Sequence, residues 1–99
     1  MNSVNVEIRH ETRTDGGRFS LSMEGGEAEL TYRLRDGVMA IDHTFTPPAL
    51  RGGGLASRLM KAAVAHARAE GWTIRPVCPY AAAWMQRHPE EQDLLESAP

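Results

Sequence analysis

The segment Thr46-Pro47-Pro48-Ala49-Leu50-Arg51-Gly52-Gly53-Gly54-Leu55-Ala56-Ser57 sets three glycines and an arginine directly before a run with helical spacing. A helix start leaves its first amides without intrahelical acceptors and carries the positive end of the helix dipole. Glycines let a ligand approach such a backbone closely. Arg51 adds a full positive charge beside those amides, so the segment suits a pyrophosphate. Two other phosphate motifs do not fit. Gly-x-x-x-x-Gly-Lys-Ser/Thr fails because Lys61 falls too late, and Gly-x-Gly-x-x-Gly is not met, nor is there a doubly wound unit around the loop.

Other side chains with chemistry to offer are scattered. Cys78 is the only cysteine, and it stands where a strand gives way to a helix that begins at Pro79. Helix N-termini activate thiols, yet a single cysteine is often a small buried wall. His43 lies on the strand that leads into the glycine loop, and imidazole is the side chain suited to proton transfer near neutral pH. A hydrogen-bonded histidine within the sheet is the competing reading. Strand alternation puts Asp42 on the face opposite His43, which argues against an adjacent dyad. His66 and Arg68 read as exposed helix residues, His88 as a cap or packing group, and Trp72 and Trp84 as core anchors. No cluster has metal-ligand spacing: Cys78 and His88 are ten apart with no partners nearby, so no metal is expected.

The elements that must position these residues are legible in the periodicity. Val4 to Arg9, Phe19 to Met23 and Ala28 to Leu34 alternate apolar with polar, the signature of strands with one face on a core. Asp15-Gly16-Gly17, Gly25-Gly26 and Asp36-Gly37 punctuate them as hairpin turns, which predicts an antiparallel meander. A fourth strand, Val38 to Phe45, is apolar on both sides, so it is expected to be central and covered on both faces. Thr46-Pro47-Pro48 ends it. From Leu55 to Ala67 the apolar period becomes helical, with Gly71 as the stop. Trp72 to Val77 forms a fifth strand, expected to run parallel to the fourth because a crossover helix joins them. Tyr80 to Arg87 forms a short helix that stops near His88, before Pro89, and Glu90 to Leu95 forms one further turn. The tail Ser97-Ala98-Pro99 is expected to fray.

The whole is one domain over residues 1–99, with 41% hydrophobic and 24% charged residues. A net charge of −2 argues against a dedicated nucleic-acid binder. No apolar stretch spans a bilayer, the start lacks a signal-peptide pattern, and one cysteine fits a reducing compartment, so a cytoplasmic location is expected.

The chain resembles the GNAT-type N-acetyltransferases. Their signature Arg/Gln-x-x-Gly-x-Gly/Ala is matched in register by Arg51, Gly54 and Ala56. More closely, it is similar to very small single-domain members of that superfamily. There a stretch like His43-Thr44-Phe45-Thr46-Pro47 leads into the cradle, and segments like Cys78-Pro79-Tyr80 and His88-Pro89-Glu90 follow. Glu91 departs from the pattern, where an aromatic residue is expected; this bears on how the tail packs.

The resemblance implies an α+β fold: a mixed, mostly antiparallel central sheet with a parallel pair of strands four and five joined by the crossover helix. It implies that Arg51, Gly52, Gly53, Gly54, Leu55, Ala56 and Ser57 cradle the pyrophosphate of acetyl-CoA. It further implies that the pantetheine arm lies between the splayed ends of strands four and five, bonded by the backbone of Phe45 and Thr46. The activity implied is acetyl transfer from acetyl-CoA to a primary amine, on a small molecule, a lysine or a protein N-terminus. Such transfer needs a base for the amine, an oxyanion stabiliser and a proton source for the departing thiolate. His43 is the candidate base. Cys78 is an acyl-accepting nucleophile, a proton donor or an apolar wall, and Tyr80 is a proton donor, although the superfamily's tyrosine usually lies deeper in its helix. Two other readings stand beside this one: a non-catalytic CoA or acyl-CoA-binding module, and a structural domain that uses its edge strands for partners. A monomer or weak homodimer is expected.

Overall fold

In the computed structural model, which describes residues 7–96, five strands form one sheet in the order β1 (Ile8–Arg13), β2 (Gly16–Met23), β3 (Gly26–Arg35), β4 (Val38–Phe45) and β5 (Thr73–Pro76). The first four pair antiparallel through two-residue turns, and β4 pairs parallel with β5. Helix α1 (Leu55–Glu70) makes the crossover, and α2 (Pro79–Gln86) follows β5. This is the expected α+β architecture. The first strand runs over Ile8–Arg13 among the described residues, and Val4 to Val6 of the expected strand lie outside them, as does the tail from Ser97. Gly16 and Gly17 belong to β2 rather than to the turn; a Cβ at Gly17 would come within 2.5 Å of the Tyr32 hydroxyl.

Both helices pack on the same face of the sheet. Leu59, Met60, Ala63, Val64 and Ala67 of α1 and Ala81, Trp84 and Met85 of α2 join Leu21, Leu30, Met39, Ile41 and Ile74 in one buried core. The alanines keep α1 close to the strands, and Gly71 closes it in a left-handed cap whose N–H reaches the carbonyls of Ala67 and Arg68. The other face of the sheet is open. The expectation that β4 is covered on both faces is therefore corrected: β4 is hydrogen-bonded on both sides, but only Met39 and Ile41 are buried. Its mild apolarity on the second side comes from Val38 and Ala40, which are half-buried.

The C-terminal segment is a strap. After the 3-10 turn Pro89–Leu94, Leu95 bridges Ile74 in parallel and the Glu96 N–H donates to Ile74 O at 2.9 Å, which covers the outer edge of β5. Arg68 on α1 donates to Glu91 at 2.8 Å and to Asp93 at 2.9 Å, so the Glu91 departure serves an ion pair instead of an aromatic contact. Among the described residues no helix is long and apolar enough to cross a membrane.

Candidate functional site

Strands β4 and β5 part company soon after they meet. Their pairing ends at Ile41 opposite Pro76, and the Ile41 carbonyl accepts from both Val77 N–H (2.9 Å) and Cys78 N–H (3.0 Å). Beyond that point β4 continues from Asp42 to Phe45 with a partner on the β3 side only, while the chain after Val77 turns into α2. A cleft opens between them. Phe45 and Val77, on the two diverging segments, are 43% and 56% exposed.

The glycine loop follows directly. Pro48–Leu50 make a 3-10 turn, and Gly54 caps α1 with φ 77°, a left-handed conformation that favours glycine. The first helical bond runs from Arg58 N–H to Gly54 O at 3.1 Å, so the amides of Leu55, Ala56 and Ser57 precede the ladder. No side chain caps them and no acidic residue sits in the first turn. A Cβ at Gly52 or Gly54 would meet nothing within 4 Å, so the space in front of the loop is open to a ligand. These are the properties that a pyrophosphate of CoA requires.

Two details refine the sequence reading. Arg51 is not simply a charge beside the amides: its Nε donates to the Thr46 carbonyl at 2.9 Å, closing the loop on itself. The Ser57 hydroxyl accepts from Trp84 Nε1–H at 2.9 Å, tying the start of α1 to α2. The β2–β3 turn and the start of β3 also press on the approach to the loop, since a Cβ at Gly25 would come within 2.9 Å of Leu50 Cδ2 and one at Gly26 within 2.8 Å of Pro47 Cγ.

The candidate catalytic side chains fall on opposite faces of the sheet. On the helix side, Cys78 is 8% exposed at the N-cap of α2, where its sulfur accepts from Ala81 N–H at 3.4 Å and lies 3.9 Å from Thr44 Oγ1. Tyr80 is half-buried two residues on, and burial pushes its phenol up, against a smaller downward pull from Arg87. His43 is on the open side. A β-bulge puts it there: Tyr32 pairs with Ile41 but Thr31 pairs with His43, which leaves Asp42 as the extra residue. Strict alternation would have sent His43 to the buried face of Ile41. The expectation that Asp42 and His43 face apart is therefore corrected. Thr31 Oγ1–H donates to Asp42 at 2.7 Å, and His43 Nε2 lies 3.1 Å from Glu29 Oε2, both on the open face. Cys78 and His43 are not brought together.

Glu29 was not singled out by sequence, because its neighbourhood depends on the bulge. It is fixed in turn by Arg18, whose Nε donates to Glu29 Oε1 at 2.7 Å, and the Glu29 and Glu27 carboxylates hold the Arg18 guanidinium well above its ordinary value. His66 is also corrected: it is half-buried against His10 and Trp72, not an exposed helix residue. His88 stacks on Trp84 with centroids 3.6 Å apart, and its Nδ1 lies 2.7 Å from Trp84 O. Among the described residues no three His, Cys, Asp or Glu converge as metal ligands. A surface hollow of about 420 Å³ lies at the other end of β4 against Val38, Ala40 and Arg75. Its charged lining mixes both signs, with Arg33, Arg35 and Arg75 beside Asp15, Asp36 and Glu96, and it holds none of the candidate residues, so the cleft with its loop is the better candidate.

Comparison with known proteins agrees with this geometry. The family model described as GCN5-related N-acetyl-transferase matches residues 18–94, which include β4, the glycine loop and α2. The solution structure of a GCN5-like protein of the N-acetyltransferase type from Staphylococcus aureus aligns with TM-score 0.69 and 28% identity, over 98% of this chain and 94% of that one.

Proposed function

Since the chain belongs to the GCN5-related N-acetyltransferase family, we propose that it moves an acetyl group from acetyl-CoA to a primary amine. The observation that carries this is the juxtaposition of the β4/β5 cleft with the uncapped, open start of α1. The loop amides from Arg51 to Ala56 receive the pyrophosphate. The backbone of Phe45 and Thr46, which lacks a β5 partner, receives the pantetheine amides as a neighbouring strand would.

The residues of the cleft then divide the proton work. As the amine nitrogen bonds to the acetyl carbon and the carbon–sulfur bond breaks, His43 accepts the proton that the amine loses. The Tyr80 phenol, kept protonated by its burial, supplies the proton to the thiolate. Cys78 walls the helix side of the cleft beside Thr44.

Thermal unfolding with acetyl-CoA tests the binding half. Ligand at about 100 times its Kd adds roughly 2.7 kcal/mol, on the order of 10 °C or more for a domain this size. Release of CoA thiol in the presence of an amine panel tests the transfer half. A thermal shift with no thiol release from any amine establishes a CoA-binding module instead. No shift at millimolar ligand, with the protein folded, removes both.

A further inference from the structure

We infer that Glu29 is a positioning residue that fixes the tautomer of His43, a proposal that rests on the acetyltransferase reading above. The bulge at Asp42 brings the His43 ring beside Glu29, which belongs to the neighbouring strand, and the two stand 3.1 Å apart through Nε2. A neutral imidazole has one N–H and one lone pair, and the partner of one nitrogen decides the role of the other. The carboxylate accepts only, so Nε2 carries the proton and the lone pair is left on Nδ1. Among the described residues Nδ1 has no hydrogen-bond partner. It is therefore the atom able to take a proton from an amine that approaches the open face of β4, where the His43 side chain is 51% exposed.

The other oxygen of Glu29 is already committed to Arg18 Nε at 2.7 Å, with Arg18 held further by Glu27 at 2.6 Å. This sets up a sharp test in a variant of unchanged shape. In Glu29→Gln the amide oxygen stays with Arg18, a donor that cannot become an acceptor. The amide NH2 then faces Nε2, which must accept, and the proton moves to Nδ1. The variant inverts the tautomer without removing a side chain. A carboxylate-to-amide change of this kind costs on the order of 10⁴ in rate in a buried serine-protease triad. His43 has a side chain 51% exposed, so water keeps part of the population in the productive form and the loss is smaller.

The measurement is a long-range proton–nitrogen spectrum of His43 in mildly alkaline buffer, with kcat and KM on the same samples. We expect the Nε2–H form in the native protein, the Nδ1–H form in Glu29→Gln and a mixture in Glu29→Ala. We expect kcat to fall about tenfold with the KM for acetyl-CoA unchanged, and Glu29→Gln/His43→Ala to be no slower than His43→Ala alone. The same tautomer in all three proteins, or an unchanged kcat in Glu29→Gln, overturns the proposal. If the tautomer inverts while the native protein transfers acetyl to no amine, the acetyltransferase reading is what has failed, and the catalytic role of Glu29 falls with it.

Discussion

Gly54 is the residue on which the cradle turns. Its φ of 77° costs an L-residue about 1 kcal/mol, yet a methyl group there would touch nothing in the protein. Gly37, in the β3–β4 turn, has φ 76° and equally open surroundings far along the chain from the loop. Gly54→Ala and Gly37→Ala should each lower the unfolding midpoint by about 4–8 °C. Only Gly54→Ala should also weaken CoA binding, by on the order of tenfold, read by calorimetry. Equal affinities in the two variants would place the ligand elsewhere. The glycines, Arg51 and Cys78 could be picked out from sequence because their types announce them. The turn of His43 towards Glu29 could not, because a bulge is a property of two paired strands and nothing in Ile41-Asp42-His43 alone marks the extra residue. For the same reason the bond from Arg51 to Thr46 was invisible: a charged side chain beside a glycine run reads as a ligand contact until the loop path is known.

At the scale of elements, α2 is held against α1 by Trp84. The indole is 1% exposed, donates to Ser57 and stacks on His88, so one side chain joins the start of α1, the body of α2 and the turn before the strap. Trp84→Phe keeps an aromatic ring but loses the donor and some volume. The expected cost is about 1–3 kcal/mol, seen as a lower urea midpoint at unchanged slope. The strap itself should behave differently. Arg68 and Asp93 are exposed and Glu91 is half-buried, and such surface pairs are screened by salt. Arg68→Ala should leave the midpoint nearly unchanged and speed amide exchange at Glu96, the N–H bonded to Ile74; the difference from the native protein should shrink as salt rises. Strand and helix identities were readable because period two and period 3.6 are local signals. The strap was read only as one more turn, since its purpose, covering the edge of β5, exists only once the sheet is assembled.

Among the described residues β1 is an edge of the sheet, and one cluster fastens that edge to the rest of the molecule. His10 of β1 stacks on Phe19 of β2 at 4.0 Å, lies 2.7 Å through Nε2 from the Tyr32 hydroxyl of β3, and meets His66 of α1 edge-on at 4.5 Å. Trp72, at the end of the crossover, closes the group against His66 at 5.2 Å. Burial lowers the His10 pKa below its ordinary 6.5, and the nearby His66 lowers it further. The folded protein therefore prefers His10 neutral, and the unfolded chain binds more protons on the acid side. The stability this histidine contributes is fully present above about pH 6.5 and declines as pH falls through that value. The carboxylates of Glu27, Asp93 and Glu96 are shifted down by their arginine partners and also lose stability on acidification, but only in the lower carboxylate range. Between pH 7 and pH 5 the histidine cluster should dominate the slope. His10→Gln keeps a hydrogen-bonding group and removes the titration, so its unfolding free energy should vary less over that interval than the native protein's. Urea melts at half-unit pH steps measure this directly. An identical slope in the variant would move the acid-sensitive contact away from the β1 edge and onto another part of the fold.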